Sequence, residues 1–161
     1  MTGVLHPPTL GCRTRILAPP DDVPSLLDGL LARCRPETVH ARFRLYRPPD
    51  PGYARTVLLP RLQAGVLLGA LAGPDLVGLL NLIDCRARTV EIGLLVADPW
   101  QRRGVGTALL AHARALRSWH GRRVLAEVDR TNLAVLALLR RHGRRELVHQ
   151  SGPEMTYRLT W

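Results

Sequence analysis

The chain contains no lysine; all 23 of its Lys/Arg positions are arginine. That absence removes the Walker phosphate loop, which needs the ammonium of Gly-Lys-Ser/Thr on the β- and γ-phosphates. Aromatic residues make up only 4% of the 161 residues, with one phenylalanine, so stacking platforms for bases are scarce. The arginines are also spread along the chain instead of forming one stripe. Nucleic acid is therefore not the expected partner, despite a net charge of +10. No apolar run reaches 18 residues, and no membrane partner is expected. The N-terminus has no basic segment leading into an apolar stretch, which makes a cytoplasmic location the expectation. Cys12, Cys34 and Cys85 are odd in number and form no C-x-x-C pair, so they read as free thiols. The six histidines show no H-E-x-x-H or similar ligand spacing, and no metal is expected.

What is present is enough for one domain. Hydrophobic residues make up 46%, and the length suits a single core. Residues 1–11 hold two prolines and no periodicity and read as a flexible tail, leaving 12–161 as the domain. The basic balance reflects either arginine-rich coding or attraction of an anionic cofactor or acidic partner. The oligomeric state is open between monomer and homodimer.

The most informative stretch runs from Val90 to Leu116. Val90–Ala97 is an apolar run of strand length, Asp98–Arg103 is a turn, and Gly104 opens a helix with Val105, Ala108, Leu109, His112, Ala113 and Leu116 at helical spacing. A strand that passes through a Gly-containing turn into a helix N-terminus presents unpaired backbone N–H groups and the positive end of the helix dipole. Glycines at 104 and 106 would let a pyrophosphate approach that backbone. A Rossmann fingerprint would need a third glycine where Leu109 stands.

The string Gln101-Arg102-Arg103-Gly104-Val105-Gly106, preceded by Val96-Ala97-Asp98-Pro99, resembles the Gln/Arg-x-x-Gly-x-Gly/Ala signature of the GNAT N-acetyltransferase superfamily. The order of elements agrees with that resemblance. A strand over Cys12–Ala18 precedes helices over Val23–Arg35 and Glu37–Leu45. Strands over Gly65–Ala72 and Leu76–Ile83 follow, then the Val90 strand and a helix to about Ser118. A strand over Arg122–Asp129, a helix from Asn132 to His142, and strands Glu146–His149 and Glu154–Thr160 complete the chain. The expected fold is α+β: a mixed, mostly antiparallel sheet with helices on both faces. Tyr46–Gln63, broken by Pro48, Pro49, Pro51 and Pro60, reads as a loop with at most one helical turn, where a specificity lid would lie. Pro36-Glu37-Thr38-Val39-His40-Ala41-Arg42-Phe43 and the strand glutamate Glu91 are similar to segments of bacterial protein-lysine acetyltransferases of the Pat type.

The resemblance implies acetyl-CoA as co-substrate, a primary amine as acceptor, and direct attack in a ternary complex. A protein lysine is the favoured acceptor; a small-molecule amine, or a non-catalytic acyl-CoA-binding regulator, is the alternative. The cofactor would meet the backbone of Leu94, Leu95 and Val96 and the turn Gln101, Arg102, Arg103, Gly104, Val105, Gly106 and Thr107, with Asn132 either touching the cofactor arm or serving only as a helix cap. An amine of pKa about 10.4 must lose a proton before it attacks. Glu91 is the expected base, with small Gly93 leaving room for the amine; its competing reading is an ion pair with Arg86 or Arg88. The Leu95 N–H is the expected oxyanion donor. Glu127 and Asp129, on one face of the next strand, are candidate substrate residues. Leu139 stands where the superfamily often has a general-acid tyrosine; Ser118, Tyr53 and Tyr157 are the only substitutes in view.

Overall fold

The computed structural model describes residues 11–47 and 49–160. The expected tail therefore lies outside the described residues except for Gly11. Seven strands form one sheet in the order β1-β2-β3-β4-β5-β7-β6. They are β1 (Arg13–Ile16), β2 (Val66–Ala72), β3 (Asp75–Cys85), β4 (Thr89–Val96), β5 (Arg123–Asp129), β6 (Arg144–Ser151) and β7 (Glu154–Thr160). Every neighbouring pair is antiparallel except β4 with β5, which gives the mixed, mostly antiparallel sheet expected. β2 and β3 are near-continuous apolar runs because both faces of the central sheet are covered, and their middles are buried throughout. β6 is an edge strand and is exposed along almost its whole length.

Helices α1 (Val23–Ala32) and α2 (Pro36–Phe43) lie on one face. Asp22 caps α1 by accepting from the Ser25 N–H at 3.2 Å, while Pro24 sits where no helical N–H is needed. α2 starts at Pro36 and ends at Arg44, which is left-handed (φ 58°). The 46–63 segment differs from its expectation. Residues 51–62 form a continuous helical run, α3: α at Pro51–Tyr53, π at Ala54–Leu58 and α again at Leu59–Leu62. Its prolines fall at or near starts of turns, where the ring is tolerated. Ala54, Leu58, Leu59 and Leu62 are buried, and Arg55 pairs with Asp28 of α1 at 3.0 Å. A segment with that many core residues is scaffold and not a lid.

On the opposite face lie α4 (Val105–Ala115) and α5 (Leu133–Arg141). α4 stops short of Ser118 and is followed by a 3₁₀ turn, Arg117–Trp119. β6 begins two residues before the expected Glu146, because Gly143, with φ 152°, turns the chain directly out of α5. The two helical layers enclose two cores. Leu27, Leu30, Val39 and Leu58 pack with Leu67, Leu79 and Leu95 on the α1–α3 side. Val105, Leu109 and Leu139 pack with Leu80, Val90, Val124 and Ala126 on the α4–α5 side. His112 of α4 also reaches β1, its Nδ1 3.0 Å from Thr14 Oγ1, and both are buried. The three cysteines are free, and no helix among the described residues is long and apolar enough to cross a membrane.

β4 pairs with β5 only from Thr89/Arg123 to Ile92/Ala126, although β4 continues to Val96 and β5 to Asp129. Beyond Ile92 and Ala126 the two parallel strands separate, leaving a gap that is closed at one end and opens toward the N-terminus of α4.

Candidate active site

The turn at the open end is built from backbone. Asp98–Trp100 makes one 3₁₀ turn, and Arg102 (φ 60°) and Gly104 (φ 84°) are both left-handed. That pair of inversions swings the chain from β4 into α4 within a few residues. Gly104 is the N-cap and supplies no side-chain acceptor, so the first-turn N–H groups of α4 have no side-chain partner at the cap. Arg102, Arg103 and Thr107 are exposed around them. The Arg103 guanidinium lies over the Trp100 ring at 5.6 Å, and the Gln101 side-chain amide donates to the Val96 carbonyl at 3.1 Å. Asp98 fixes the turn to the α1–α2 connection, accepting from the Arg35 N–H at 2.7 Å, Arg35 Nε at 2.8 Å and Thr38 Oγ1 at 2.9 Å. Burial alone would raise the Asp98 carboxyl, but these three donors hold it below its ordinary value. The geometry suits a multiply charged anion: oriented amides, a helix dipole and two arginines, with no acidic residue in the first turn of α4.

Gly106 has a different duty from the one expected. A Cβ there would come within 2.9 Å of Leu138 Cδ2 and 3.4 Å of Leu94 Cδ2, so the glycine allows α5 and β4 to approach α4. Gly104 is required by its backbone angle.

The backbone along the gap also corrects one expectation. The Ala97 N–H donates to Val77 O of β3, and the Arg123 N–H donates to Arg88 O. With an unbroken β3–β4 register from Thr89 to Val96, alternation aims the odd-numbered N–H groups of β4 at β3 and the even-numbered ones at β5. The Leu95 N–H, expected as oxyanion donor, therefore faces β3. Leu94 and Val96 present theirs to the gap.

The second half of the site is the α2-side face of β4, β5 and β7. Glu91 and Gly93 share this face with Glu127, Asp129 and Glu154, by strand alternation and the β4–β5–β7 register. Glu91 is exposed, and among the described residues neither Arg86 nor Arg88 forms an ion pair with it. The space over Gly93 is not open to an amine as expected. The Arg42 side chain crosses from α2 and covers it, donating from Nη2 to Asn81 Oδ1 at 2.5 Å, and a Cβ on Gly93 would overlap both groups. Arg42 is half-buried as a residue while its guanidinium is enclosed. That desolvation draws it down to about 10, against the pull of the nearby Glu91 charge.

Arg44, turned by its left-handed conformation, reaches Asp129 Oδ2 and Glu154 Oε1, both at 3.2 Å. Asp129 also accepts from the Thr131 N–H at 2.8 Å and hydroxyl at 2.6 Å, which keeps it ionised and fastens the β5–α5 turn. Glu127 behaves oppositely. Desolvation and the adjacent Glu154 carboxylate raise it, with Arg44 opposing. Asn132 accepts from the Val135 N–H at 3.2 Å and is thus engaged as the α5 cap. Leu139 is buried in the α4–α5 core, and the Tyr157 hydroxyl donates to the Met155 sulfur at 3.4 Å, its one partner among the described residues.

Arg42 entered the sequence reading only as part of the Pro36–Phe43 segment, with no role at the site, and Arg44, Asn81 and Glu154 escaped it. Asn81 carried a visible signal, being the one polar residue inside the apolar run Leu76–Ile83.

A splayed parallel strand pair with an anion-binding turn at its mouth and carboxylates across one face suits a phosphate-bearing ligand laid beside a cationic one. The comparisons agree. Residues 33–143 match the model of the acetyltransferase (GNAT) family, and the chain belongs to that family. Among solved structures, it is similar to the GNAT domain of Streptomyces lividans PAT at 22% identity, covering 92% of this chain and 89% of that one with TM-score 0.74. It is also similar to the PaiA N-acetyltransferase of Thermoplasma acidophilum in complex with coenzyme A, at 19% identity over 93% of this chain and 99% of that one, TM-score 0.69. YncA of Salmonella typhimurium, a putative acetyltransferase with acetyl-CoA, matches at 17% identity over 93% of each chain, TM-score 0.64. None of the curated proteins matches the sequence.

Proposed function

We propose that this GNAT acetyltransferase transfers the acetyl group of acetyl-CoA to a primary amine, specifically the lysine of a protein, by direct attack. The observation that carries the acceptor class is the α2-side face. Glu91, Glu127 and Glu154 put negative charge beside the β4–β5 gap, on a surface where Glu91 and Glu127 are exposed. Such a face suits a cationic side chain presented by a larger body. The solved structures with coenzyme A or acetyl-CoA support the donor, as does the turn's fit to a pyrophosphate.

The residue roles follow from position. Amides of Val105, Gly106 and Thr107 hold the pyrophosphate, flanked by Gln101, Arg102, Arg103 and Gly104. Leu94 and Val96 N–H groups line the gap and hydrogen-bond the carbonyl oxygen as it gains charge; Leu95 contributes packing. Glu91 takes the proton from the ammonium, directly or through a water, so that the amine lone pair can attack. The thioester supplies an activated acyl group whose leaving thiol has an ordinary pKa of about 8.5, low enough to depart as thiolate without a tyrosine acid. This accommodates Leu139. Glu127 and Asp129 belong to the acceptor side, Glu127 toward the substrate and Asp129 as the anchor of Arg44.

A lysate incubated with the enzyme and acetyl-CoA, then searched by mass spectrometry for acetyl-lysine, tests the acceptor. Because the chain has no lysine, no acetyl-lysine in the result can come from the enzyme itself. Acetylation of small amines with no gain in protein acetyl-lysine over cofactor alone would reject the protein-lysine reading.

A further inference from the structure

We propose that Arg42 is the specificity-determining residue that limits the transferred acyl group to acetyl. This rests on the reading of the β4–β5 gap as the channel for the cofactor arm. The arm enters at the α4 N-terminus and runs toward the closed end, where the strands rejoin at Ile92 and Ala126. Its acyl end therefore comes to lie by Gly93, the first β4 residue beyond the junction. The α2-side exit at Gly93 is stoppered by the Arg42 guanidinium, held by the Asn81 carboxamide at 2.5 Å. Three elements are fitted to one another here: Arg42 from α2, Asn81 from β3 and Gly93 from β4. Asn81 is only 2% exposed, and Gly93 has no room for a Cβ while Arg42 is in place.

An enclosed arginine held by a neutral amide, with no ion pair among the described residues and only the nearby charge of Glu91 to offset desolvation, is a costly arrangement to keep for packing alone. As a stopper it has a clear consequence. In an open apolar channel, each methylene added to the acyl chain would strengthen binding about fourfold. Against Arg42 the added methylenes must either displace the guanidinium from Asn81 or stay unburied. Neither returns that gain, so chains longer than acetyl lose the advantage an open channel would give them.

The test is calorimetric titration of the full chain with CoA, acetyl-CoA and butyryl-CoA, which needs no acceptor. Wild type is expected to bind butyryl-CoA no more tightly than acetyl-CoA. In Arg42→Ala the ratio should move at least tenfold toward butyryl-CoA, with affinity for CoA unchanged. Arg42→Met, which keeps the apolar stem, stands in if Arg42→Ala does not fold; unchanged CoA affinity certifies either variant. Asn81→Leu, which frees the guanidinium without removing it, should give an intermediate ratio. An acyl ranking in Arg42→Ala and Arg42→Met identical to wild type overturns the proposal. Failure of wild type to bind CoA at all overturns instead the channel reading on which it rests.

Discussion

The two halves of the site are built in opposite ways. The proposed anion turn is a contiguous piece of backbone, residues 94–107, shaped by N–H directions and two left-handed residues. The proposed acceptor face is a set of side chains collected from α2, β3, β4, β5 and β7, and its properties come from charges acting on one another. Backbone sites tolerate side-chain change and fail when a dihedral angle is forbidden. Side-chain sites fail one residue at a time and respond to pH. The two halves should therefore be separable by mutation.

The sharpest separation comes from Glu91. If it is the base, Glu91→Gln should lower kcat by about 10²–10⁴, the usual range for a positioned general base, with affinity for acetyl-CoA unchanged in calorimetry. The glutamine keeps the shape and loses only the proton acceptor. Turnover on the true acceptor that is unaltered across pH would remove Glu91 from the chemistry and move attention to Glu127. The reverse separation is Gly104→Val. Forcing a β-branched residue to φ 84° costs about 1–2 kcal/mol or more, so cofactor affinity should fall roughly tenfold or beyond. Gly106→Ala is the control, since its nearest obstacle is the tip of Leu138, which can shift; a small change is expected. Equal losses at 104 and 106 would mean that cofactor approach, and not backbone conformation, is what both glycines serve.

This contrast also explains what the sequence disclosed. The turn was legible because strand, glycines and helix follow one another in the chain, and a local backbone motif can be read from local residues. The element order was legible for the same reason, since apolar periodicity in β2–β5 and α4 is a local signal. The 46–63 segment was misread because its prolines resemble loop punctuation, while Leu58, Leu59 and Leu62 declare a buried face only once α1 is present to receive them. The Leu95 assignment failed because the direction of a strand N–H depends on which neighbour it pairs with, and that is set by register with β3. Arg42 over Gly93 was beyond sequence reading: 51 positions separate the two, and only the sheet and α2 together bring them into contact.

A smaller effect probes the coupling on the acceptor face. Arg44 opposes the upward shift of Glu127 caused by desolvation and Glu154. Arg44→Gln should let the Glu127 carboxyl hold its proton to higher pH. A cationic acceptor needs that carboxylate ionised, so its KM should rise severalfold toward acid pH and by less toward alkaline pH, where deprotonation is restored. Acetyl-CoA affinity should not change. A pH-independent rise in KM would mean that Arg44 acts only by bracing the Asp129 turn.

The smallest predicted effect belongs to neither half and tests whether the shared scaffold can be altered beneath both. His112 joins α4 to β1 through Thr14, and burial lowers its pKa below the ordinary value of about 6.5. The unfolded chain therefore takes up this proton more readily than the folded one. The contribution of neutral His112 is intact above about pH 6.5 and is lost as the pH falls through that value toward the lowered folded pKa. Thermal unfolding of wild type should accordingly lose more Tm between pH 7.5 and pH 5.5 than His112→Gln does. The difference should stay within about 3 °C, since about 1 kcal/mol moves a domain of this size by roughly 2–4 °C. Cofactor affinity at pH 7.5 should be the same in both, because His112 lies two turns into α4, away from the first-turn amides, and bonds to β1 instead. If that affinity dropped with the substitution, the anchoring of α4 to β1 would have to be counted as part of the anion turn, and the division of the site into a backbone half and a side-chain half would no longer hold.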